Sequence, residues 1–138
     1  MRMIFINLPV GDVTRATAFY EAIGFEKNAD FSNDVASAMR WSEAISVMLL
    51  DHGFYATFTD KPIADTHQVS AALFCLSFDD RAAVDAIHAA ARSAGGKEAR
   101  PIADQHFMYG GAFEDPDGHI WETVHMDMSA AAPAGEAA

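Results

Sequence analysis

The stretch MIFINLPVGDVTRATAFYEAIGF, residues 3–25, decides how this chain folds. From Met3 to Val10 it alternates: Ile4, Ile6, Leu8 and Val10 fall on one side, and Phe5, Asn7 and Pro9 on the other. A period of two is the mark of a β-strand. Asp12, a good N-cap residue, then opens a helix with Val13, Ala16, Phe19, Tyr20 and Ile23 at helical spacing. Gly24 stands where that helix should stop. The strand's aliphatic side must be buried, and the helix stripe that follows is the nearest cover. Phe5 and Asn7 are left to face the other way.

Working outward, short strands fit residues 25–32, 35–42 and 45–51, with Ser32-Asn33-Asp34 and Ser42-Glu43-Ala44 as turns. The plan then repeats. Ala71 to Phe78 is apolar and strand-like, and a helix begins at Asp79 or Asp80 with Val84, Ile87, Ala91 and Ala94 on one stripe. Gly95-Gly96 ends it, and strands fit 97–103, 107–114 and 119–127. Asp115-Pro116-Asp117-Gly118 is a strong turn before the last strand. The expected organisation is one domain over residues 1–127, with module one at 1–51, a linker at 52–70 and module two at 71–127. The linker carries Phe54, Tyr55 and Phe58, which suits a packed connector or a lid over a pocket. Residues 128–138 are small and unpatterned and are expected to form a disordered tail.

The chain of 138 residues is 51% hydrophobic and 21% charged, as in ordinary globular proteins. Its formal charge of −11 disfavours nucleic acid and anionic membranes as partners. No apolar run reaches the roughly 20 residues of a membrane span. The N-terminus has no cleavage-like site after its short apolar run, which argues against a secretory signal. Cys75 is the only cysteine, so no intrachain disulfide can form and a Cys-based zinc site is excluded. A cytoplasmic location is expected.

The βαβββ–βαβββ repeat, with INLPVGDVTRATAFYEAIGFE in one half and FEDPDGHIWE in the other, resembles the glyoxalase/bleomycin-resistance/extradiol-dioxygenase group, the vicinal oxygen chelate superfamily. The residues that carry the likeness are Val10, Asp12, Phe19, Tyr20, Gly24 and Phe25. The resemblance implies an α+β fold of two modules. In each, a curved mixed sheet forms a half-barrel with its helix on the convex side, and the concave faces enclose a pocket. It also implies homodimers, a small-molecule ligand, and lyase, isomerase or dioxygenase chemistry on a small carbonyl compound, or simple sequestration of an antibiotic-like molecule.

Enzymes of that family commonly hold a divalent metal with His or Glu from the first and last strands of each module. Matching NLPVGD with CLSFDD pairs Phe5 with Leu73 and Asn7 with Cys75; matching ISVMLL with HIWETV pairs Met48 with Glu122. The four ligand positions are then Phe5, Met48, Leu73 and Glu122. A first shell for zinc, nickel, iron or manganese needs several N, O or S donors. One carboxylate beside Phe, Leu and a thioether is not such a shell, so no metal ligands and no cofactor are expected.

Parity puts Phe5, Asn7, Leu73 and Cys75 on the pocket side, with Met48, Leu50, Glu122 and Val124 beside them. Glu122 is the candidate catalytic acid/base. Among apolar neighbours a carboxylate loses hydration, and its affinity for a proton rises. The other side chains, with Tyr109 as a phenol on an aromatic wall, are candidate ligand contacts. Cys75 itself reads first as a small buried hydrophobe, the alternative being a reactive thiol in the pocket.

His119 and His125 flank Glu122 as H-x-x-E-x-x-H, but on a strand both lie on the opposite face. His52, His67 and His106 fall in expected loops, and His88 lies beside the second helix's apolar stripe. Arg40 suits either a ligand carboxylate or a solvated edge. Arg100-Pro101 reads as a loop feature. Two functions remain open: a metal-independent glyoxalase-like enzyme, and a binding protein without chemistry.

Overall fold

The structure, a computed structural model, describes residues 1–129. The part of the expected tail from residue 130 onward lies outside the described residues. The chain divides into two compact units, Met1–Val69 and a second beginning at Ser70.

In the first unit β1 (Ile4–Val10) runs into α1 (Val13–Ala22), followed by β2 (Glu26–Asn28), β3 (Ala36–Arg40), β4 (Ile45–Asp51) and a short α2 (His52–Tyr55). Asp12 caps α1 as its sequence suggests, its Oδ1 accepting from the Arg15 N–H at 3.1 Å. The sheet order is β1-β4-β3-β2. β1 and β4 are parallel, and the other pairs are antiparallel. Parallel neighbours need a long crossover, and the βαββ excursion through α1 supplies it.

The second unit repeats this with β5 (Leu73–Ser77), α3 (Arg81–Ser93), β6 (Lys97–Gln105), β7 (Met108–Glu114) and β8 (Ile120–Met126). Its order is β5-β8-β7-β6, again with the first and last strands parallel. The chain is therefore α+β, two βαβββ modules with open mixed sheets.

Each helix covers one face of its own sheet. Leu8, Val10, Phe19, Tyr20, Met39, Val47 and Leu49 are buried in the first unit; Leu76, Val84, Ile87, Phe113 and Trp121 are buried in the second. Side chains of this size each stabilise the fold by roughly 1.5–3 kcal/mol on burial. Strand parity then sends the alternate residues to the face away from the helix, called the open face below.

Three expectations need correction. The strand foreseen over 25–32 is only Glu26–Asn28, because Asn28 caps a 3₁₀ turn at Ala29–Phe31, its side chain accepting from the Asp30 N–H at 3.2 Å. The linker begins with α2, capped by Asp51, whose Oδ1 accepts from Phe54 N–H at 2.7 Å. That helix packs on β1 and β4, so the start of the linker is a connector, and its residues belong to the first unit. Met128 and Ser129, assigned to the tail, form a turn in which Asp127 accepts from the Ser129 N–H and hydroxyl at 3.1 and 2.6 Å.

Candidate functional site

Strand register fixes what shares each open face. In the first unit Phe5, Ser46, Arg40 and Glu26 make one row across the sheet, and Asn7, Met48, Ala38 and Asn28 make the next. In the second unit the row matching the latter is Cys75, Glu122, Ala112 and Arg100. Two rows of one architecture thus carry different chemistry: amides and a thioether in one, a thiol, a carboxylate and a guanidinium in the other.

Arg100 Nη1 donates to Glu122 Oε2 at 2.9 Å. The two residues are separated by β7, where Ala112 is small enough for the guanidinium to pass over. Arg100 lies in β6, not in a loop, and the β6–β7 register shifts on either side of it. Two glycines permit this. A Cβ on Gly111 would stand 2.8 Å from the Arg100 carbonyl oxygen, and one on Gly110 would stand 1.8 Å from that of Thr123. Both distances are forbidden, so the close approach of β6 and β8 to β7 demands glycine. Arg100 is the residue of this candidate site that sequence reasoning missed. Gly110-Gly111 was the available signal, since paired glycines inside a strand mark an irregular ladder.

Around the ion pair is a groove of about 490 Å³ lined by Cys75, Gln105, Met108 and Val124 as well as the pair itself. Glu122 is partly buried and shares its environment with a cation, so it is not the isolated acid among apolar neighbours foreseen above. Cys75 is exposed on this face and is not a buried hydrophobe. Burial of the thiol and then the nearby Glu122 carboxylate push its pKa above the ordinary value, against the opposing pull of Arg100. Leu73 stands exposed at the start of β5.

The first unit has its own groove of about 480 Å³, lined by Phe5, Phe31, Arg40 and Met48 among others. Asn7 lies in the adjoining row. Leu50 is on the same parity but only 2% exposed, so it does not line the groove. It is the next-to-last residue of β4, close to where α2 turns back onto β1 and β4.

Tyr109 is also corrected. It pairs with His125 across β7 and β8, opposite in parity to Glu122, and its hydroxyl donates to Asp85 of α3 at 2.5 Å. Arg81 sits 4.8 Å above its ring and is bidentate to Asp104 at 2.6 and 3.1 Å. The phenol braces the helix and does not wall the groove.

The histidines are dispersed. His125 Nδ1 bonds the Phe78 carbonyl at 2.9 Å, and His119 is buried in the turn before β8. His67 and His106 are exposed in turns, while exposed His52 opens α2 and is not in a loop. His88 is buried on α3, shares a 2.8 Å hydrogen bond with Thr123 Oγ1, and packs edge-on against Phe113. Thr123 Oγ1 in turn accepts from the Gly111 N–H at 3.1 Å, closing the gap that the glycine pair leaves in the ladder. Burial pushes the His88 pKa below its ordinary value of 6.5, so the imidazole is neutral near pH 7.

Comparison with known families settles what this duplicated architecture is. The family described as "Glyoxalase/Bleomycin resistance protein/Dioxygenase superfamily" matches residues 2–123. The chain belongs to this superfamily. Among solved structures, a hypothetical protein from S. aureus superposes with a TM-score of 0.79 at 21% identity, over 91% of this chain and 94% of that one. A glyoxalase/bleomycin resistance protein/dioxygenase family enzyme from Burkholderia phytofirmans PsJN gives 0.75 at 16% identity, over 92% and 100%. The bleomycin resistance determinant encoded on the transposon Tn5 gives 0.61 at 21% identity, over 92% and 99%. At these identities the likeness is one of fold. No curated protein matches the chain.

Metal-dependent members of the superfamily raise the question of whether the residues here fit a divalent ion. At the strand positions in question the first unit offers Phe5 and Met48, with neither nitrogen nor oxygen in their side chains. The second offers Leu73 and a glutamate whose Oε2 already accepts from a guanidinium. Among the described residues no three His, Cys, Asp or Glu side chains are grouped to hold an ion. The donor set does not fit the superfamily's metal.

Proposed function

We propose that this chain is a small-molecule-binding member of the superfamily that works without a divalent metal and holds its ligand unchanged. The supporting observation is the 2.9 Å ion pair between Arg100 and Glu122. A carboxylate acting as base must meet the proton it removes. Here one oxygen already accepts from a guanidinium, so the group is better suited to orienting a ligand than to shuttling protons. Both grooves are of the size that takes small organic molecules, and their apolar side chains supply the contact surface. Sequestration of an antibiotic-like molecule, one of the roles that the family resemblance implies, is the nearest functional parallel.

The proposal includes a homodimer in a cytoplasmic setting. Ile4 and Leu73 are both more than half exposed at strands that edge their sheets, apolar surface that a second copy would cover. No helix among the described residues is long and apolar enough to cross a membrane.

The test is a thermal-shift screen of small carbonyl and aromatic compounds, with each stabilising compound recovered and identified by mass spectrometry. Recovery unchanged supports binding. Conversion that disappears in Glu122→Gln would overturn it in favour of an enzyme. Titration with zinc, nickel or manganese should give no stoichiometric binding; near-stoichiometric uptake would restore the metal-dependent reading.

A further inference from the structure

We propose that the groove of the first unit takes an aromatic or aliphatic carboxylate, with Arg40 as the anchor for its charge. This deepens the binding function above and rests on it. Arg40 is the last residue of β3 and shares a row with Phe5 and Ser46. Its side chain is thus on the open face, at one end of the apolar strip formed by Met3, Phe5, Phe31 and Met48. Among the described residues it has no hydrogen-bond or ion-pair partner.

Two carboxylates lie near it in the chain. Glu26 is its cross-strand neighbour on β2, and Glu43 lines the same groove from the turn before β4. Neither forms an ion pair with Arg40. The contrast with Arg100 is direct: that guanidinium is committed to Glu122, whereas the Arg40 donors are left for something outside the chain.

Ligand dimensions follow from the register. Arg40 and Phe5 are two strands apart, so an occupant lying across the row spans about 10 Å. A body of two fused rings with a carboxylate at one end fits that span. Its rings would lie over Phe5 and Met48, and its oxygens would take the paired N–H donors of the guanidinium, a geometry that suits carboxylates above other acceptors.

The experiment uses 2-naphthoate and its neutral isostere 2-naphthalenemethanol, titrated into the full chain and followed by calorimetry. Wild type should bind the acid at least about tenfold more tightly than the alcohol, the size of effect usual for charge-assisted hydrogen bonds. Arg40→Gln should remove that preference without changing the melting temperature, because the side chain is exposed and makes no bond. Arg40→Lys should keep part of it. Glu43→Gln should tighten the acid about two- to threefold by removing a like charge. Arg100→Gln should leave the preference intact.

Equal binding of acid and alcohol by wild type would overturn the carboxylate assignment while leaving a binding function standing. A preference for the acid that survives Arg40→Gln and vanishes in Arg100→Gln would also overturn it. Failure of both probes to bind would overturn it too. Conversion of ligands in the screen described above would instead sink the binding function, so the two failures are separable.

Discussion

The two modules share strand order, helix position and the parallel pairing of first and last strands, yet one ladder is regular and the other is broken. In the first, β3 and β4 pair without interruption from Ala36 opposite Leu50 to Arg40 opposite Ser46. In the second, the pairing of β7 with β8 lapses between Tyr109 and Ala112, and that of β6 with β7 shifts on both sides of Arg100. The alignment that pairs Met48 with Glu122 sets Ala36 and Ser37 against Gly110 and Gly111, and Leu49 against Thr123. Small changes at the centre of the sheet therefore accompany a large change at the site. A three-residue β2 in the first module becomes a nine-residue β6 in the second, and the extra strand delivers a guanidinium to the carboxylate.

The sharpest way to break this comparison is to make the second ladder resemble the first. Gly110→Ala drives a methyl group into the Thr123 carbonyl, and Gly111→Ala drives one into β6 beside Arg100. Because the obstacle in each case is backbone, relief requires strands to part. Each substitution should cost about 2–4 kcal/mol in urea denaturation. The matched change in the first module, Ala36→Gly, should cost only about 1 kcal/mol, since it adds backbone freedom and removes one buried methyl. Equal losses in the two modules would mean that the interrupted ladder is not a constraint on the second.

The duplicated plan was legible because it rests on local chemistry. Asp12 and Asp80 cap their helices, alternation marks β1, and Gly24 ends α1, all features of a few adjacent residues. The shared face of Phe5, Met48, Cys75 and Glu122 followed from parity together with the match between the two halves. What failed depends on register between distant segments. Whether Arg100 meets Glu122 depends on where β6 slides against β7, and no periodicity within residues 97–105 records that shift. Tyr109 was misplaced for a related reason. The faces of β7 were read without the partner that fixes them, and Asp85 of α3 claims the hydroxyl. Leu50 had the right parity but is only 2% exposed, near the end of a strand on which α2 packs.

A second difference between the modules is pH sensitivity. The bond from His88 to Thr123 has no counterpart at Leu49. Its imidazole is held below the ordinary value of 6.5 chiefly by burial, with Arg92 pushing the same way and Glu98 and Asp85 opposing. The unfolded chain then binds the proton more readily than the folded one. The stability this neutral histidine contributes is complete above pH 6.5 and is lost as pH falls from there toward the folded-state value. His88→Gln should be about 1–2 kcal/mol less stable than wild type at pH 7.5, through lost packing on Phe113 and an altered bond to Thr123. The gap should narrow at pH 5, where wild type carries the protonation cost and the variant does not. A gap that is constant or widens on acidification would show that His88 is not the group responsible.

The smallest effect concerns the ion pair itself, the feature that most separates the two open faces. Arg100 is largely exposed and Glu122 only partly buried, so a double-mutant cycle with Arg100→Gln and Glu122→Gln should give a coupling of about 0.5 kcal/mol, weaker in high salt. A coupling of that size would be hard to read in a melting curve, so its consequence is better followed in the groove. Cys75 reports it directly, because Glu122 raises its pKa and Arg100 lowers it. Glu122→Gln should therefore speed alkylation of the thiol by iodoacetamide roughly two- to fivefold at pH 8, and Arg100→Gln should slow it by a similar factor. Opposite signs from two neutralising substitutions cannot arise from a general loosening of the fold, which would expose the thiol in both. If both variants accelerate the reaction, the pair is closing the groove sterically, and the electrostatic distinction drawn between the two modules fails at its central residues.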